Sequence, residues 1–355
     1  MIGYGNSVFL RTAWEVSGGV PPVNTVAPAI TGTAQEGQTV SCSTGTWTGT
    51  PTITFAYQWK RNGSNIVSAT NSTYTLVTAD VSQSITCQVT ATNGSGSASA
   101  TSNTITPIAA VDPDAQAFIT AAAITNPTQQ SAINTLVVDL KGYSIWTKMR
   151  ALYPFVGGTA STHKFNLKNP LDTNAAYRLT FFGGVTHSSN GIIGNGTNGY
   201  ADTFLANNVM AQSNAHISVY SRTNYQGTVS DIASYSNQFG SFMYIRSAGN
   251  NFEGQVNAGT RVNVSNTDSR GLFLTTRTSA ISQTGQKNTT QYVTASVPTN
   301  HIASTFKLLR TGDASAEYSP RNLAFASIGD GLTDAEALNF YTAVQNFNTA
   351  LARQV

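Results

Sequence analysis

The sequence predicts a mainly β protein with two β-sandwich domains, the second of them flanked by helices. Short runs rich in Val, Thr, Tyr and Phe, separated by Gly, Asn, Ser and Pro, occupy most of the 355 residues. The first strand-rich stretch contains Cys42, Trp59 and Cys87. Helical periodicity then appears on both sides of a second strand-rich stretch. These observations divide the chain near residue 108.

The composition is poor in charge, which narrows the classes of function. Charged residues make up 10% of the chain and hydrophobic residues 40%, against a usual charged share of about 25%. The net charge of +3 is small, and no Lys/Arg cluster with interleaved aromatic residues occurs, so we expect no nucleic-acid binding. No apolar run reaches the ~18 residues of a transmembrane helix, so we expect no membrane insertion.

Residues 1–22 are predicted to form an N-terminal leader that is too short to fold alone. Tyr4, Phe9 and Trp14 lie among its glycines. They either anchor the chain to a partner or form a strand of a neighbouring domain. The leader lacks the charged n-region of a secretory signal, so we expect the protein to be released from the cell by lysis. Pro21-Pro22 form a stiff linker.

Residues 23–107 are predicted to form a sandwich. Trp59 lies between the two cysteines, where a sandwich places its core tryptophan. Cys42 and Cys87 either form an inter-sheet disulfide or pack as buried thiols. Asn62-Gly63 predicts a tight hairpin turn. The predicted strands are residues 39–44, 54–63, 72–77, 84–93 and 97–106.

The segment from 43 to 102, STGTWTGTPTITFAYQWKRNGSNIVSATNSTYTLVTADVSQSITCQVTATNGSGSASATS, resembles bacterial and phage immunoglobulin-like repeats of surface and virion proteins. The resemblance covers essentially the whole domain and implies an immunoglobulin-like sandwich. Antibody-type domains carry Tyr two residues before the second Cys, and Ile85 occupies that position here. The tyrosine-corner hydrogen bond is therefore not expected at this position.

Residues 108–154 are predicted to form a linker and a helical segment. Ile133, Leu136, Val137 and Leu140 recur at helical spacing, and Gly142 ends or kinks that helix. A second short apolar stripe precedes Pro154 and consists of Trp146, Met149 and Leu152. Stripes of this kind are more typical of a core than of a cofactor site.

Residues 155–355 are predicted to form strands closed by a C-terminal helix. Thr333 and Glu336 form a capping box at the start of this helix. One face of the helix is apolar and consists of Ala337, Phe340, Val344, Phe347 and Leu351. The predicted strands are residues 177–184, 216–223, 241–247, 271–279, 304–311 and 322–329.

This second part resembles concanavalin-like, laminin-G-like jelly rolls. The segments that carry the resemblance are GNGTNGYADT (194–203), HISVYSRT, GLFLTTRTS and LAFASIGDGLTDAEALNFYTAVQNF. Residues 152–203 also resemble a recurring stretch in structural proteins of tailed phages, including crAss-like phages. The resemblance implies a displayed virion protein, although jelly rolls host many functions.

The sequence contains no recognisable catalytic constellation. A glycoside hydrolase needs two carboxylates that act together, and Glu253 has no close acidic neighbour in the sequence. No G-x-S-x-G nucleophile motif occurs. The histidines show no metal-ligand spacing and are His163, His187, His216 and His301. We therefore expect a non-enzymatic protein without a cofactor.

Glycan binding is the chemistry that the jelly-roll resemblance implies. Lectin-like jelly rolls bind sugars through Asn and Asp side chains and a stacking aromatic ring, and many use calcium held by such oxygens. Asn195, Asn198, Tyr200 and Asp202 supply these groups in one loop-to-strand segment. The alternative is a Gly/Asn turn that leads into a strand, with Tyr200 in the core.

Together these features favour a structural protein of a tailed-phage virion, either a head or tail fibre or a decoration subunit. The leader would bind other virion proteins, the first domain would act as a spacer, and the second would adhere to cell-surface or mucin glycans. Such subunits follow particle symmetry, so we expect a homo-oligomer. The alternative is a bacterial surface carbohydrate-binding adhesin, or an accessory module of a glycoside hydrolase.

Overall fold

The computed structural model describes residues 18–236, 239–299, 302–312 and 317–355. The protein is mainly β, as predicted, and consists of a β-sandwich followed by a second, larger β-sandwich with flanking helices. The chain divides into two compact units at the bond between Ala110 and Val111. The predicted anchor residues Tyr4, Phe9 and Trp14 lie outside the described residues, so their role stays a prediction.

In its described residues the first unit is built from nine strands, the first of which includes Pro21 and Pro22, so the predicted linker is a strand instead. Its antiparallel sheets have the strand orders β6-β5-β8-β9 and β2-β3-β7, and β1 pairs with β4. The strands are β1 Val20–Val26, β2 Ile30–Thr31, β3 Thr39–Cys42, β4 Thr46–Thr50, β5 Thr54–Arg61, β6 Ser64–Asn65, β7 Thr73–Thr75, β8 Ile85–Asn93 and β9 Gly96–Thr101.

The hairpin between β5 and β6 turns at Asn62 and Gly63. Their φ angles are 49° and 81°, both in the left-handed region that a type I′ turn requires. Asn and Gly tolerate this region best, which explains the turn at this position.

Trp59 lies at the centre of the first core. It is fully buried, and Tyr74 stacks on it with 5.4 Å between ring centroids. The core also contains Cys42 and Cys87, which the structure has as free, buried thiols. A hydrogen bond with Cys42, together with burial, raises the pKa of the Cys87 thiol. A disulfide between Cys42 and Cys87 therefore stays a prediction.

The buried carboxylate of Asp80 connects strand β5 with strand β7 in this sandwich. Asp80 is fully buried and accepts hydrogen bonds from the Tyr74 hydroxyl and the Val77 amide, each at 2.8 Å. Arg61 pairs with the same carboxylate at 2.7 Å. Ile85, at the position of the missing corner tyrosine, lies in the apolar core. The tyrosine that hydrogen-bonds to Asp80 is therefore Tyr74, at a different position in the chain from Ile85.

Among the residues that the structure describes, the second unit contains the other fifteen strands and the four α-helices. The helices are α1 Pro113–Ala121, α2 Pro127–Gly142, α3 Ala160–His163 and α4 Asp334–Ala350. The strands are β10 Met149–Tyr153, β11 Thr180–Phe182, β12 Thr186–Ser188, β13 Gly191–Ile193, β14 Tyr200–Ala206, β15 Ala215–Ser221, β16 Ile232–Ser236, β17 Phe239–Tyr244, β18 Asn251–Gln255, β19 Val262–Ser265, β20 Gly271–Arg277, β21 Ser282–Lys287, β22 Thr290–Ala295, β23 Thr305–Leu308 and β24 Asn322–Gly329.

These strands form two antiparallel sheets that face each other. One has eight strands, in the order β12-β13-β24-β15-β20-β21-β22 with β10 also paired to β24, and the other has seven, in the order β11-β14-β23-β16-β17-β18-β19. Side chains from both inner faces build one apolar core, with Val219, Phe273 and Ile328 from the first sheet and Ile232 and Leu308 from the second. This is the packing of a β-sandwich.

A layer of helices covers the outer face of the eight-stranded sheet. Residues of α1, α2 and α4 share an apolar cluster with Tyr220, Leu272, Leu274 and Phe325 of that sheet. Strands β15, β20 and β24 are therefore buried on both faces. The helices predicted as a separate segment within 108–154 thus belong to the second compact unit.

The apolar stripe before Pro154 has a different structure from the helical one that its spacing suggests. Trp146 opens a single 3₁₀ turn, and Met149 and Leu152 lie in strand β10. β10 pairs with β24 through Leu152 and Ser327. The backbone before a proline disfavours the helical region, and pairing with the long strand β24 supplies the hydrogen bonds that a helix would have made.

Helix α4 begins at the predicted capping box. The Thr333 hydroxyl accepts from the Glu336 amide at 3.3 Å, and the Glu336 carboxylate accepts from the Thr333 amide at 2.8 Å. The buried face of the helix contains Ala337, Phe340, Val344 and Phe347. None of the helices in the described ranges is both long and apolar enough to cross a membrane.

Candidate functional site

The outer face of the seven-stranded sheet carries a row of aromatic side chains. We call Phe182, Tyr200, Arg310 and Tyr318 the aromatic row. Phe182 is 41% exposed, and the other three are partly buried. The helix layer packs on the opposite sheet, so these rings form part of the unit's surface. Partly exposed aromatic rings in one patch mark a binding surface more often than isolated ones do.

Strand alternation places the first two rings side by side. In β14 every second residue is buried, so Ala201, Thr203 and Leu205 face the core while Tyr200 faces outward. Phe182 of β11 lies directly opposite Tyr200 in the register. The two rings stack with 4.8 Å between centroids and 15° between planes.

Arg310 and Tyr318 complete the row through a short non-local bridge. They pair with each other as an isolated antiparallel bridge beyond the end of β23. The Arg310 guanidinium lies 4.9 Å from the Tyr200 ring centroid and 5.6 Å from that of Tyr318. A guanidinium at this distance is attracted to the ring faces, so the arginine holds both tyrosines in place.

A second cluster lies further along the same sheet, on β16, β17 and β18. Phe242 contacts Tyr235 and Tyr244, with ring centroids 5.0 Å and 4.7 Å apart. Arg261 lies 5.4 Å from the Phe242 ring and pairs with Glu253 at 2.7 Å. Burial, together with the nearby Glu317 carboxylate, raises the pKa of Tyr244 to about 12. Its hydroxyl therefore stays protonated to a higher pH than that of an ordinary tyrosine.

Asp202 lies on the outward face of β14 but is engaged within the protein. Its carboxylate accepts from Lys307 and Thr305, both at 2.8 Å, and from the Phe204 amide at 2.9 Å. Lys307 is its cross-strand neighbour. Asp202 thus joins β14 to β23 beneath the aromatic row.

Asn195 and Asn198 build the turn that precedes Tyr200. The Asn195 carbonyl oxygen accepts from the backbone amides of residues 197, 198 and 199 at 3.1, 3.0 and 2.9 Å. Its amide nitrogen donates to Asn198 at 2.7 Å, and Asn198 accepts from Gly184 at 3.0 Å. Gly183 has a φ of 61°, and a Cβ there would meet the Asn198 carbonyl. Both asparagines therefore position the strand.

The structure brings two histidines together that are far apart in the sequence. His163 and His187 lie with their Nδ1 atoms 3.1 Å apart, and the Gly158 amide donates to His163 Nε2 at 3.2 Å. Burial, with further contributions from His187 and Arg353, lowers the pKa of His163 to about 3. His216 is fully buried, donates to the Asp330 carbonyl at 2.6 Å and accepts from Ser327 at 3.0 Å. These histidines are packing residues.

Within the ranges that the structure describes, no group of three or more His, Cys, Asp and Glu side chains could hold a metal ion. Several carboxylates of the second unit form ion pairs instead. Asp231 pairs with Arg321 at 2.8 Å, and both side chains are fully buried. Asp330 pairs with Arg150 at 2.9 Å.

Sequence reasoning found Tyr200 but missed its neighbours in the aromatic row. Phe182 was detectable, because outward alternation in the 177–184 segment puts it on the face opposite Phe181. Arg310 and Tyr318 were not, because their position depends on the bridge between them. Asn195, Asn198 and Asp202 lie near Tyr200, as the sequence suggests, but they hold the turn and the strand pair.

No protein-family model and no curated protein sequence matches the chain. Among solved structures, domain 4 of AbnA, an extracellular GH43 arabinanase from Geobacillus stearothermophilus in complex with arabinotriose, is 8% identical, with 54% of this chain and 98% of that chain covered and a TM-score of 0.35. Trypanosoma rangeli sialidase in complex with sialic acid is 6% identical, with 73% and 42% covered and a TM-score of 0.41.

The binding domain of botulinum neurotoxin DC in complex with SialylT is 16% identical, with 48% of this chain and 47% of that chain covered and a TM-score of 0.35. The chain thus spans about half of that binding domain. Identities and TM-scores this low do not transfer a ligand or an activity to this chain.

Proposed function

We propose that the second unit is a non-enzymatic glycan-binding module and that the aromatic row is its binding surface. The observation that carries this proposal is the stack of Phe182 and Tyr200, with Arg310 held between Tyr200 and Tyr318. Aromatic rings offer rigid contact area at low conformational-entropy cost. The C–H face of a sugar ring packs against such a surface, while its hydroxyls bind the arginine and tyrosine polar groups.

The carboxylates near this surface support binding rather than hydrolysis. Hydrolysis of a glycoside needs one protonated and one ionised carboxyl group on either side of the bond. Asp202 and Glu253 instead pair with Lys307 and Arg261. The purified chain should therefore leave a bound oligosaccharide intact during prolonged incubation. Release of reducing ends, abolished by substitution of either carboxylate, would contradict this part of the proposal.

A glycan array probed with the full chain tests the binding surface. We expect binding to a subset of glycans, reduced about tenfold or more by Tyr200→Ala, since a buried aromatic contact of this kind contributes a kcal/mol or two. Tyr341→Ala is the matched control, because Tyr341 packs against the helix-side core. Equal loss in both variants would point to unfolding, and unchanged binding in Tyr200→Ala would refute the surface.

We further propose that the chain is a structural component of a phage virion that displays this module. The resemblance of residues 152–203 to structural proteins of tailed phages supports this, as do the resemblance of residues 43–102 to bacterial and phage repeats of surface and virion proteins and the low content of charged residues. Antibodies against the recombinant chain should label particles from lysed cultures. Labelling of the surface of uninfected bacteria would instead identify a bacterial adhesin, and co-purification with a hydrolase would identify an accessory module.

A further inference from the structure

A small cleft opens in the second unit between β19 and β22, the edge strands of its two sheets that lie farthest in strand order from the aromatic row. Its volume is about 240 Å³. The residues come from β18, β19, β21 and β22 and from the loop after β19. Those that matter for binding are Phe252, Val264, Ser265, Thr267, Lys287 and Tyr292. The cleft is separate from the aromatic row, which lies on β11, β14 and the segment after β23.

Lys287 is held in a fixed position in this cleft. Its ammonium group donates to the Asn266 side-chain oxygen at 2.7 Å and to the Asp268 carbonyl at 2.6 Å. It also lies 5.6 Å from the Phe273 ring centroid. An ammonium group has three donors, so one remains for a ligand. A preoriented donor loses little side-chain entropy when a ligand binds.

The charge around Lys287 is not balanced within the described residues. The nearest carboxylate, Asp268, pairs with Arg270 at 3.0 Å. Arg246 binds the amide oxygens of Asn250 and Asn224 at 2.9 and 2.8 Å. Burial, together with the positive charges of Arg270 and Arg246, lowers the pKa of Lys287, while Asp268 acts against this. Two further cations therefore act on Lys287 against a single carboxylate, an excess of positive charge that favours an anion.

The walls of the cleft match a small ligand with both apolar and hydroxyl groups. Phe252 and Val264 belong to or pack against the apolar core, and Tyr292 packs beside them. Ser265 and Thr267 are exposed and offer hydroxyl groups at the rim. The volume lies below the ~300–1,000 Å³ of pockets for drug-sized ligands. This suits a molecule of about monosaccharide size.

We propose that this cleft binds a carboxylate-bearing sugar, with the carboxylate on Lys287 and the ring against Tyr292. An ion pair between an ammonium and a carboxylate in a partly buried site is a charge-assisted hydrogen bond, stronger than a neutral one. Ser265 and Thr267 bind the sugar hydroxyls. The site does not depend on the glycan surface proposed above, because the two share no residue.

Calorimetric titration of the full chain with glucuronate, and with glucose as the neutral counterpart, tests this site. We expect glucuronate to bind and glucose to bind at least about tenfold more weakly, the difference that a charged hydrogen bond makes. Lys287→Gln should weaken glucuronate binding by a similar factor. Lys168→Gln is the control, because Lys168 is another partly buried lysine, stacked on Trp146 at 4.4 Å. It should bind as the wild type does.

Ser265→Phe gives a second test that leaves the Lys287 hydrogen bonds in place and fills the cleft from its rim. It should also abolish glucuronate binding, even if Lys287→Gln proves unstable. Tyr200→Ala should bind glucuronate normally, so failure of this site and failure of the aromatic row can be told apart. Equal affinity for glucuronate and glucose, or wild-type binding by Ser265→Phe, would overturn the proposal.

Discussion

The two sheets of the second unit differ in their outer faces: helices cover that of the eight-stranded sheet, and the aromatic row lies at the surface of the seven-stranded one. On the eight-stranded sheet, Phe325 packs beneath Phe340 and Phe347 of α4, with ring centroids 6.0 and 6.3 Å apart. On the seven-stranded sheet, Phe182 and Tyr200 stack at the surface. Aromatic residues thus close a core on one side and remain accessible on the other. The first face is thus part of a core, and the second is the face on which we propose that glycans bind.

The burial patterns of individual strands show the same contrast. Every residue of β24 is buried, because one side of the strand faces the sandwich core and the other faces the helices. In β14 buried and partly buried residues alternate. A strand covered on both faces tolerates few polar residues unless they are paired. The half-covered strand is free to present Tyr200 and Asp202 outward.

Removal of an aromatic side chain from the covered face should have the largest effect on stability. Phe340→Ala leaves a cavity between α4 and the eight-stranded sheet, where Phe340 is fully buried. We expect the free energy of unfolding to fall by about 3–5 kcal/mol. Chemical denaturation measures this, and glycan binding by the remaining folded protein should be unchanged. Loss of binding without loss of stability would contradict the division between the two faces.

The next largest loss of stability should come from breaking the buried ion pair that joins the two sheets, between Asp231 and Arg321. Asp231 directly precedes β16 of the seven-stranded sheet, and Arg321 directly precedes β24 of the eight-stranded sheet. The ion pair between them is fully buried. Ser319 donates to Asp231 at 2.6 Å, and Arg321 also donates to the carbonyls of Tyr225 and Arg246 at 2.9 and 3.0 Å. Asp231→Asn leaves the arginine charge uncompensated while keeping an acceptor.

We therefore expect Asp231→Asn to lower the free energy of unfolding by about 3 kcal/mol, near the lower end for a broken buried pair. Asp268→Asn is the control, since Asp268 and Arg270 are 37% and 50% exposed, and a surface pair contributes little. The same loss in both variants, measured by urea denaturation, would argue against the buried pair as the tie.

Acid should destabilise the covered face through His216. Burial lowers the pKa of this side chain from 6.5 to about 4. Between these values the unfolded chain binds a proton that the folded chain does not, so this contribution is full above pH 6.5 and is lost as the pH falls through 4. We expect a loss on the order of 2 kcal/mol from this group between about pH 7.5 and pH 5.

Unfolding curves at a series of pH values check this expectation, with His216→Gln as the comparison. The variant should be less stable at neutral pH, because it loses the hydrogen bonds of His216 with the Asp330 carbonyl and the Ser327 hydroxyl. Its stability should also depend less on pH. A wild-type curve that stays flat between about pH 7.5 and pH 5 would show that His216 does not control acid stability.

Local patterns predicted much of the fold. The helix α4 was predictable because its capping box and apolar face are both local. The hairpin at Asn62 and Gly63 was predictable because those residues favour positive φ. Strand β10 was not, because pairing with β24, far along the chain, decides its structure. Local periodicity in that stretch favours a helix.

The candidate site was predictable only in part, for the same reason. Tyr200 follows from strand alternation, but the contact with Arg310 requires a register between distant segments. Buried arginines were also beyond reach. Arg353, near the end of the chain, donates to the carbonyls of Pro154 and Phe155 at 3.0 and 2.9 Å. Nothing in the residues beside Arg353 distinguishes it from an exposed arginine.

The most direct test of the binding face is a crystal structure of the chain with an oligosaccharide that the array selects. We expect a sugar ring to pack against the aromatic row at the exposed ring of Phe182, with a hydroxyl within hydrogen-bond distance of Arg310. A ligand bound on the helix layer, or on the first unit, would contradict the assignment of binding to the open face of the seven-stranded sheet.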